Sequence, residues 1–203
     1  MIYITGDTHI PIDIHKLNTE NFPEQKFMTK EDFVIICGDF GGVWCFPNTK
    51  GYKEDLYWLK WLNSRNFTIL FVDGNHENFP MLSTFPVIEK FGGKVGKITD
   101  SVYHLRRGEI YTIDNYKFFC FGGASSHDKW HRTEGKDWWP EEMPSREEME
   151  YGIDNLQRVN NKVDFIVTHC CASNILPLFS LYAETDAATQ YFKFIEDSVE
   201  YKH

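Results

Sequence analysis

Apolar residues gather in four short, nearly unbroken runs: Ile2-Tyr3-Ile4-Thr5, Phe33-Val34-Ile35-Ile36, Ile69-Leu70-Phe71-Val72 and Phe165-Ile166-Val167. β-branched and aromatic residues dominate them. A continuous apolar pattern, in place of alternation, marks strands covered on both faces, as in parallel sheets. The spacing predicts strands at 2–5, 33–37 and 68–72. Between the last two, Leu56, Leu59 and Leu62 recur at helical intervals with Trp58 and Trp61 beside them, which predicts a helix over Lys53–Ser64. Strand, helix and strand in this order predict a parallel sheet with right-handed crossovers.

The pattern changes in the middle of the chain. Val102–Leu105, Glu109–Ile113 and Lys117–Phe121 are short β-type runs separated by the turn-like stretches Arg106-Arg107-Gly108 and Asp114-Asn115-Tyr116. They predict consecutive antiparallel strands. Ser145 and Glu148 have the spacing of a capping box, with Met149, Ile153 and Leu156 following at helical intervals. Ala188, Phe192, Ile195 and Val199 predict a last amphipathic helix. The stretch 122–144, with Trp130, Trp138 and Trp139, is the longest irregular segment and reads as a lid or binding loop.

Each of the four apolar runs leads into a short polar motif. These are Asp7-Thr8-His9, Gly38-Asp39-Phe40-Gly41-Gly42, Gly74-Asn75-His76-Glu77 and Thr168-His169. Sites in α/β sheets collect beyond the carboxyl ends of the strands, so four such ends describe one site. Asp7 and His9, one residue apart, can be aimed at one point by a turn. The two oxygens of Asp39 can bridge two cations, Asn75 offers an amide oxygen, and His169 offers an imidazole nitrogen. Mixed N/O ligation of this kind suits Mn, Fe, Zn and related divalent ions. Two such ions about 3.5–4 Å apart clamp a phosphoryl group and acidify water between them.

The ordered set D-x-H, G-D-x-G, G-N-H-E and a late T-H resembles the calcineurin-like metallophosphoesterase superfamily over most of the chain. The resemblance implies an α/β (mixed α+β) fold of two packed mixed β-sheets flanked by helices, a four-layer sandwich. It also implies two divalent ions, Mn²⁺ first with Fe, Zn, Ni and Mg as alternatives. Asp7 and His9 would serve one ion, Asp39 the bridge, and Asn75 and His169 the other. His76 would be the catalytic acid that protonates the leaving oxygen, after attack on phosphorus by a metal-bridging hydroxide. Protein Ser/Thr phosphatases of the superfamily carry G-D-x-H-G and G-D-x-V-D-R-G. Here the corresponding stretches are Gly6-Asp7-Thr8-His9-Ile10 and Gly41-Gly42-Val43-Trp44, closer to the small prokaryotic phosphoesterases. The superfamily's C-terminal G-H-x-H motif is absent from the sequence. The expectation is therefore a single domain over 1–203 that stops ahead of its last metal-binding strand, each ion one ligand short. His203 is a remote substitute, since a terminal His is ordinarily a solvated tail residue.

Less specific readings compete at each position. Asp7 and Asp39 also suit plain turns, Asn75 with Gly74 a simple turn, His76 a structural hydrogen bond, and His169 a buried core imidazole. Cys170 and Cys171 read as small hydrophobes more readily than as ligands. In the irregular loop, His127, Asp128, Lys129, His131 and Arg132 are the candidates beyond the metal ligands, with Arg132 the choice for a substrate phosphate. Asp13, His15 and His104 show no partner logic.

Composition narrows the partners. A formal charge of −9 argues against capture of long nucleic acid but leaves room for a phosphorylated small molecule or nucleotide, whose charge bound cations would balance. No run approaches a membrane span, strand 2–5 leaves no room for a signal peptide, and five cysteines without a repeating pattern suit reduced thiols. A cytoplasmic protein is the expectation. The sequence thus predicts a metal-dependent phosphoesterase acting on phosphomonoesters or phosphodiesters. The alternatives are a metal-poor binding domain and a nuclease, the latter with only Lys90, Lys94, Lys97, Arg106 and Arg107 to offer a basic patch.

Overall fold

The computed structural model describes residues 1–179 and 184–203. Among these residues, nine strands form two sheets. They are β1 (Ile2–Thr5), β2 (Phe33–Cys37), β3 (Thr68–Val72), β4 (Val87–Lys90), β5 (Gly93–Lys97), β6 (Val102–Leu105), β7 (Glu109–Ile113), β8 (Tyr116–Phe121) and β9 (Phe165–Thr168). The first sheet has the order β1-β2-β3-β6-β5-β4 and the second β7-β8-β9. Pairing from β1 to β6 is parallel, that of β4, β5 and β6 antiparallel, and β8 pairs parallel with β9, so both sheets are mixed. The helices are α1 (Tyr52–Asn63), α2 (Phe79–Ser83), α3 (Arg146–Arg158), α4 (Leu176–Phe179) and α5 (Ala187–Ser198).

Strand residues alternate between two apolar clusters, which is why the runs read as continuous. Val34, Ile36, Ile69 and Phe71 face outward beneath α1, with Leu59 and Leu62 in the same cluster. Phe33, Ile35, Leu70 and Val72 face inward and meet Phe118, Cys120 and Val167 of the second sheet. That sheet's other face, with Phe119 and Phe121, packs on Leu156 of α3 and Ala188, Phe192 and Ile195 of α5. Helix, sheet, sheet, helix is the expected four-layer sandwich.

The antiparallel reading of the middle region needs correction. β7 and β8 form the expected hairpin, with Asp114 and Asn115 at positive φ in a two-residue turn that suits the twist of the strands. β6, however, lies in the first sheet beside β3, and Arg106-Arg107-Gly108 carries the chain across to the second sheet. The hairpin of β4 and β5 was not expected. Its turn is Phe91-Gly92, both at positive φ. The capping box of α3 is complete, Ser145 and Glu148 each bonding the other's backbone N–H. The stretch 122–144 contains no strand or α-helix, only short 3₁₀ turns at Lys129–His131 and Pro140–Glu142. No helix among the described residues is long and apolar enough to cross a membrane.

Candidate metal centre

β1, β2 and β3 run parallel, so their carboxyl ends lie side by side and present Asp7, His9, Asp39, Asn75 and His76 from adjacent loops. The first two loops are zipped together. Thr8 N–H and His9 N–H donate to the Asp39 carbonyl (3.1 and 2.8 Å), and Ile10 N–H donates to that of Phe40 (3.2 Å). His9 and Asp39 are both at positive φ (36° and 46°), a conformation uncommon for side-chain-bearing residues and adopted most readily by Asn, Asp and His. Lys16 Nζ donates to the Asp7 carbonyl and ties the first loop to the chain that follows it. Phe40 N–H and Gly41 N–H donate to Glu77, a fully buried carboxyl whose pKa is pushed up by burial, against the pull of those two donors.

His169 comes from the second sheet and reaches the same point because Gly38 has no side chain. A Cβ on Gly38 would lie 2.2 Å from His169 Nδ1. Instead the ring sits against the backbone, and Nδ1 donates to the Cys37 carbonyl at 2.8 Å. A carbonyl only accepts, so Nδ1 carries a proton. Gly74 allows the other close approach, since a Cβ there would lie 2.0 Å from Asp39 Oδ1.

The side chains converge around the Asp39 carboxylate. His9 Nε2 lies 3.4 Å from Asp39 Oδ2 and 3.5 Å from Asp7 Oδ2. His169 Nε2 lies 3.5 Å from Asp39 Oδ1 and 3.2 Å from Asn75 Oδ1. His76 N–H donates to Asp39 Oδ1 (2.8 Å), and the His76 ring meets that of His9 edge-on, centroids 5.0 Å apart. His9, Asp39 and His76 offer ligand atoms that all lie within 4.8 Å of one another. Among the described residues, no Lys or Arg comes within 4.0 Å of the Asp7 or Asp39 carboxylate. Carboxylate, amide and imidazole groups thus converge without a guanidinium or ammonium at the carboxylates. That donor set fits divalent cations.

Arg132 is brought to the site from the irregular loop. Its Nη2 donates to His76 Nε2 at 2.9 Å. A guanidinium cannot accept, so His76 is neutral with its proton on Nδ1. Burial, reinforced by Arg132 and His9 and opposed by Asp39, pushes the His76 pKa down. The fork of Arg132 is held by Asp128 through two bonds of 2.8 Å, and Nη1 donates to the Asp137 carbonyl. His127 and His131 are exposed. On the other flank, Asn75 Nδ2 donates to Ser126 Oγ, which with Ser126 N–H is bound to the buried Glu142.

Two expectations from sequence change. His203 lies at the amino-terminal end of β9, its ring stacked on Phe165 and its carbonyl accepting from Ile166 N–H. His169 follows the opposite end of that strand, so His203 does not stand in for a ligand. His104, which showed no partner logic, has one: its Nε2 lies 3.0 Å from Oδ1 of the buried Asp73. Lys16, Ser126 and Glu142 were missed altogether, because nothing in their spacing joins them to the four motifs.

No curated protein and no solved structure significantly matches the chain. The model of the calcineurin-like phosphoesterase family matches residues 1–193, and the chain belongs to that family of metal-dependent phosphoesterases.

Proposed function

We propose that the chain hydrolyses phosphomonoesters or phosphodiesters of small molecules or nucleotides, with two divalent cations, Mn²⁺ foremost. The observation that carries this reading is the division of Asp39. Its Oδ2 faces His9 and, through it, Asp7, while its Oδ1 faces His169 and, through it, Asn75. Asp7, His9 and Asp39 would hold one cation, and Asp39, Asn75 and His169 the other. Divalent ions in such a site supply Lewis-acid polarisation of phosphoryl oxygens and a more acidic water.

The chain's own groups do the rest. Gly38 and Gly74 let His169 and the Asn75 loop approach Asp39 without intervening side chains. His76, beside Asn75, would act as the general acid for the leaving oxygen in its imidazolium form, which requires Nε2 to take up a proton and part from Arg132. Arg132, kept in place by Asp128, stands next to His76 where a phosphoryl oxygen would arrive. The formal charge of −9 favours a small substrate over long nucleic acid.

The test is metal content of the purified protein together with hydrolysis of an aryl phosphate and a bis-aryl phosphate, with and without Mn²⁺. The expected result is two ions per chain and metal-dependent turnover, reduced on the order of a thousandfold in Asp39→Asn, equivalent to about 4 kcal/mol of transition-state stabilisation. Absence of turnover on both substrates in excess Mn²⁺ would overturn the reading.

A further inference from the structure

Asn75 differs from the other proposed ligands in one respect: its side chain has two nearly isosteric ends, and only one of them can meet a cation. The oxygen is a ligand and the NH₂ group is not. Rotation by half a turn about the last side-chain bond would place two N–H donors where His169 Nε2 now meets an oxygen. Something must decide between the two orientations.

Ser126 is the group on the other side of the amide. Its Oγ lies 3.1 Å from Asn75 Nδ2 and 2.5 Å from Glu142 Oε2. Its backbone N–H donates to Glu142 Oε1 at 2.8 Å, so the carboxylate clasps Ser126 with both oxygens. Ser126 and Glu142 are 3% and 1% exposed, so water does not compete for these bonds. Because a carboxylate only accepts, the single hydroxyl proton is committed to Glu142, and Oγ is left with lone pairs alone facing Asn75. Only the NH₂ end of the amide can satisfy it. The reversed amide would set oxygen against oxygen in a buried place, which leaves both without a donor. Glu142 is itself fixed, since Arg107 Nη2 donates to the carbonyls of Glu141 and Glu142 (2.9 and 3.2 Å).

We infer that Ser126 and Glu142 are positioning residues that lock the Asn75 amide with its oxygen toward His169, and so set the affinity of one of the two cation sites. The inference rests on the two-cation reading above. It gives the irregular segment 122–144 a role at the site beyond covering it: the segment dictates which face of the amide the metal meets.

The test is Mn²⁺ titration by calorimetry on the full chain, comparing wild type, Ser126→Ala, Glu142→Gln, Asn75→Asp and the double variant Asn75→Asp/Ser126→Ala. Thermal midpoints in EDTA check that each variant is folded. Ser126→Ala keeps the backbone bond to Glu142 and removes only the hydroxyl. It is expected to weaken the affected site about 10–100-fold, the usual effect of losing an outer partner of a metal ligand. The carboxylate introduced by Asn75→Asp has no N–H for Ser126 to read, so in that background the same substitution should change affinity less than about twofold. A merely structural role for Ser126 would give the same loss in both backgrounds and overturn the inference. Unchanged Mn²⁺ affinity in Ser126→Ala and Glu142→Gln, with wild type binding two ions, would overturn it while leaving the two-cation reading intact. Wild type that binds no Mn²⁺ would overturn both.

Discussion

Two charged clusters diverge from the loop after β3, one built on Asp73 and the other around Asn75, two residues on. Both combine carboxylates with histidine, yet they are electrostatically opposite. Asp73 is fully buried, and burial alone would raise its pKa. Arg107 and His104 outweigh that and hold it well below the usual carboxylate range. Arg107 in turn is kept charged against its own burial by Asp73 and Glu148. Its N–H groups go to Asp73, Glu148 and two carbonyls. This cluster carries its own counter-charge. Among the described residues, the Asp7 and Asp39 carboxylates have imidazoles within 4.0 Å but no Lys or Arg. One guanidinium makes the difference between a structural ion pair and a place for a cation.

The contrast breaks or holds on stability measurements. Arg107→Met should be the most damaging substitution for the fold, costing about 3–5 kcal/mol in denaturant unfolding because it strands a buried carboxylate. Mn²⁺ at about a hundred times its dissociation constant should stabilise wild type by about 2.7 kcal/mol per site, a rise of roughly 5–10 °C in melting temperature for one site. That gain should vanish in Asp39→Asn and survive in any Arg107 variant that still folds. In EDTA, Asp39→Asn itself should cost less than about 1 kcal/mol or even stabilise, since it removes one of two unneutralised acids. Losses equal to those of Arg107→Met would erase the distinction between the clusters. The smallest effect belongs to Glu148→Gln. The Glu148 side chain is 42% exposed, so losing its charge beside Arg107 should cost less than about 1 kcal/mol. A larger loss would mean the Asp73 cluster depends on its rim as well as its centre.

The two clusters also differ in how far the sequence reveals them. The candidate metal centre is legible because strands covered on both faces leave continuous apolar runs, and each of the four runs ends in a motif of unusual composition. The Asp73 cluster joins residues 31 and 34 positions apart with no local pattern. Arg107 in particular sits in a stretch that reads as a hairpin turn. The same ambiguity misplaced β6, since a polar separator that crosses between sheets looks like one that reverses within a sheet. The β4–β5 hairpin went unread because Glu89, Lys90, Gly93, Lys94 and Gly96 interrupt both the apolar pattern and the β propensity expected of strands. Glu142 and Ser126 lie in a segment without periodicity of any kind, where only the fold shows which acid is buried.

The bare contact at Gly38 gives the space between the two sheets a direct bearing on the ligand set. His169 rests on the Cys37 carbonyl itself, across 132 residues of chain, with no flexible side chain between them to take up slack. The distance from His169 to Asp39 is consequently gauged by the bulk of the residues sandwiched behind it, Val72, Cys120 and Val167 among them. A methyl group added or removed there, though it touches none of the proposed ligands, would move one half of the proposed cation site relative to the other.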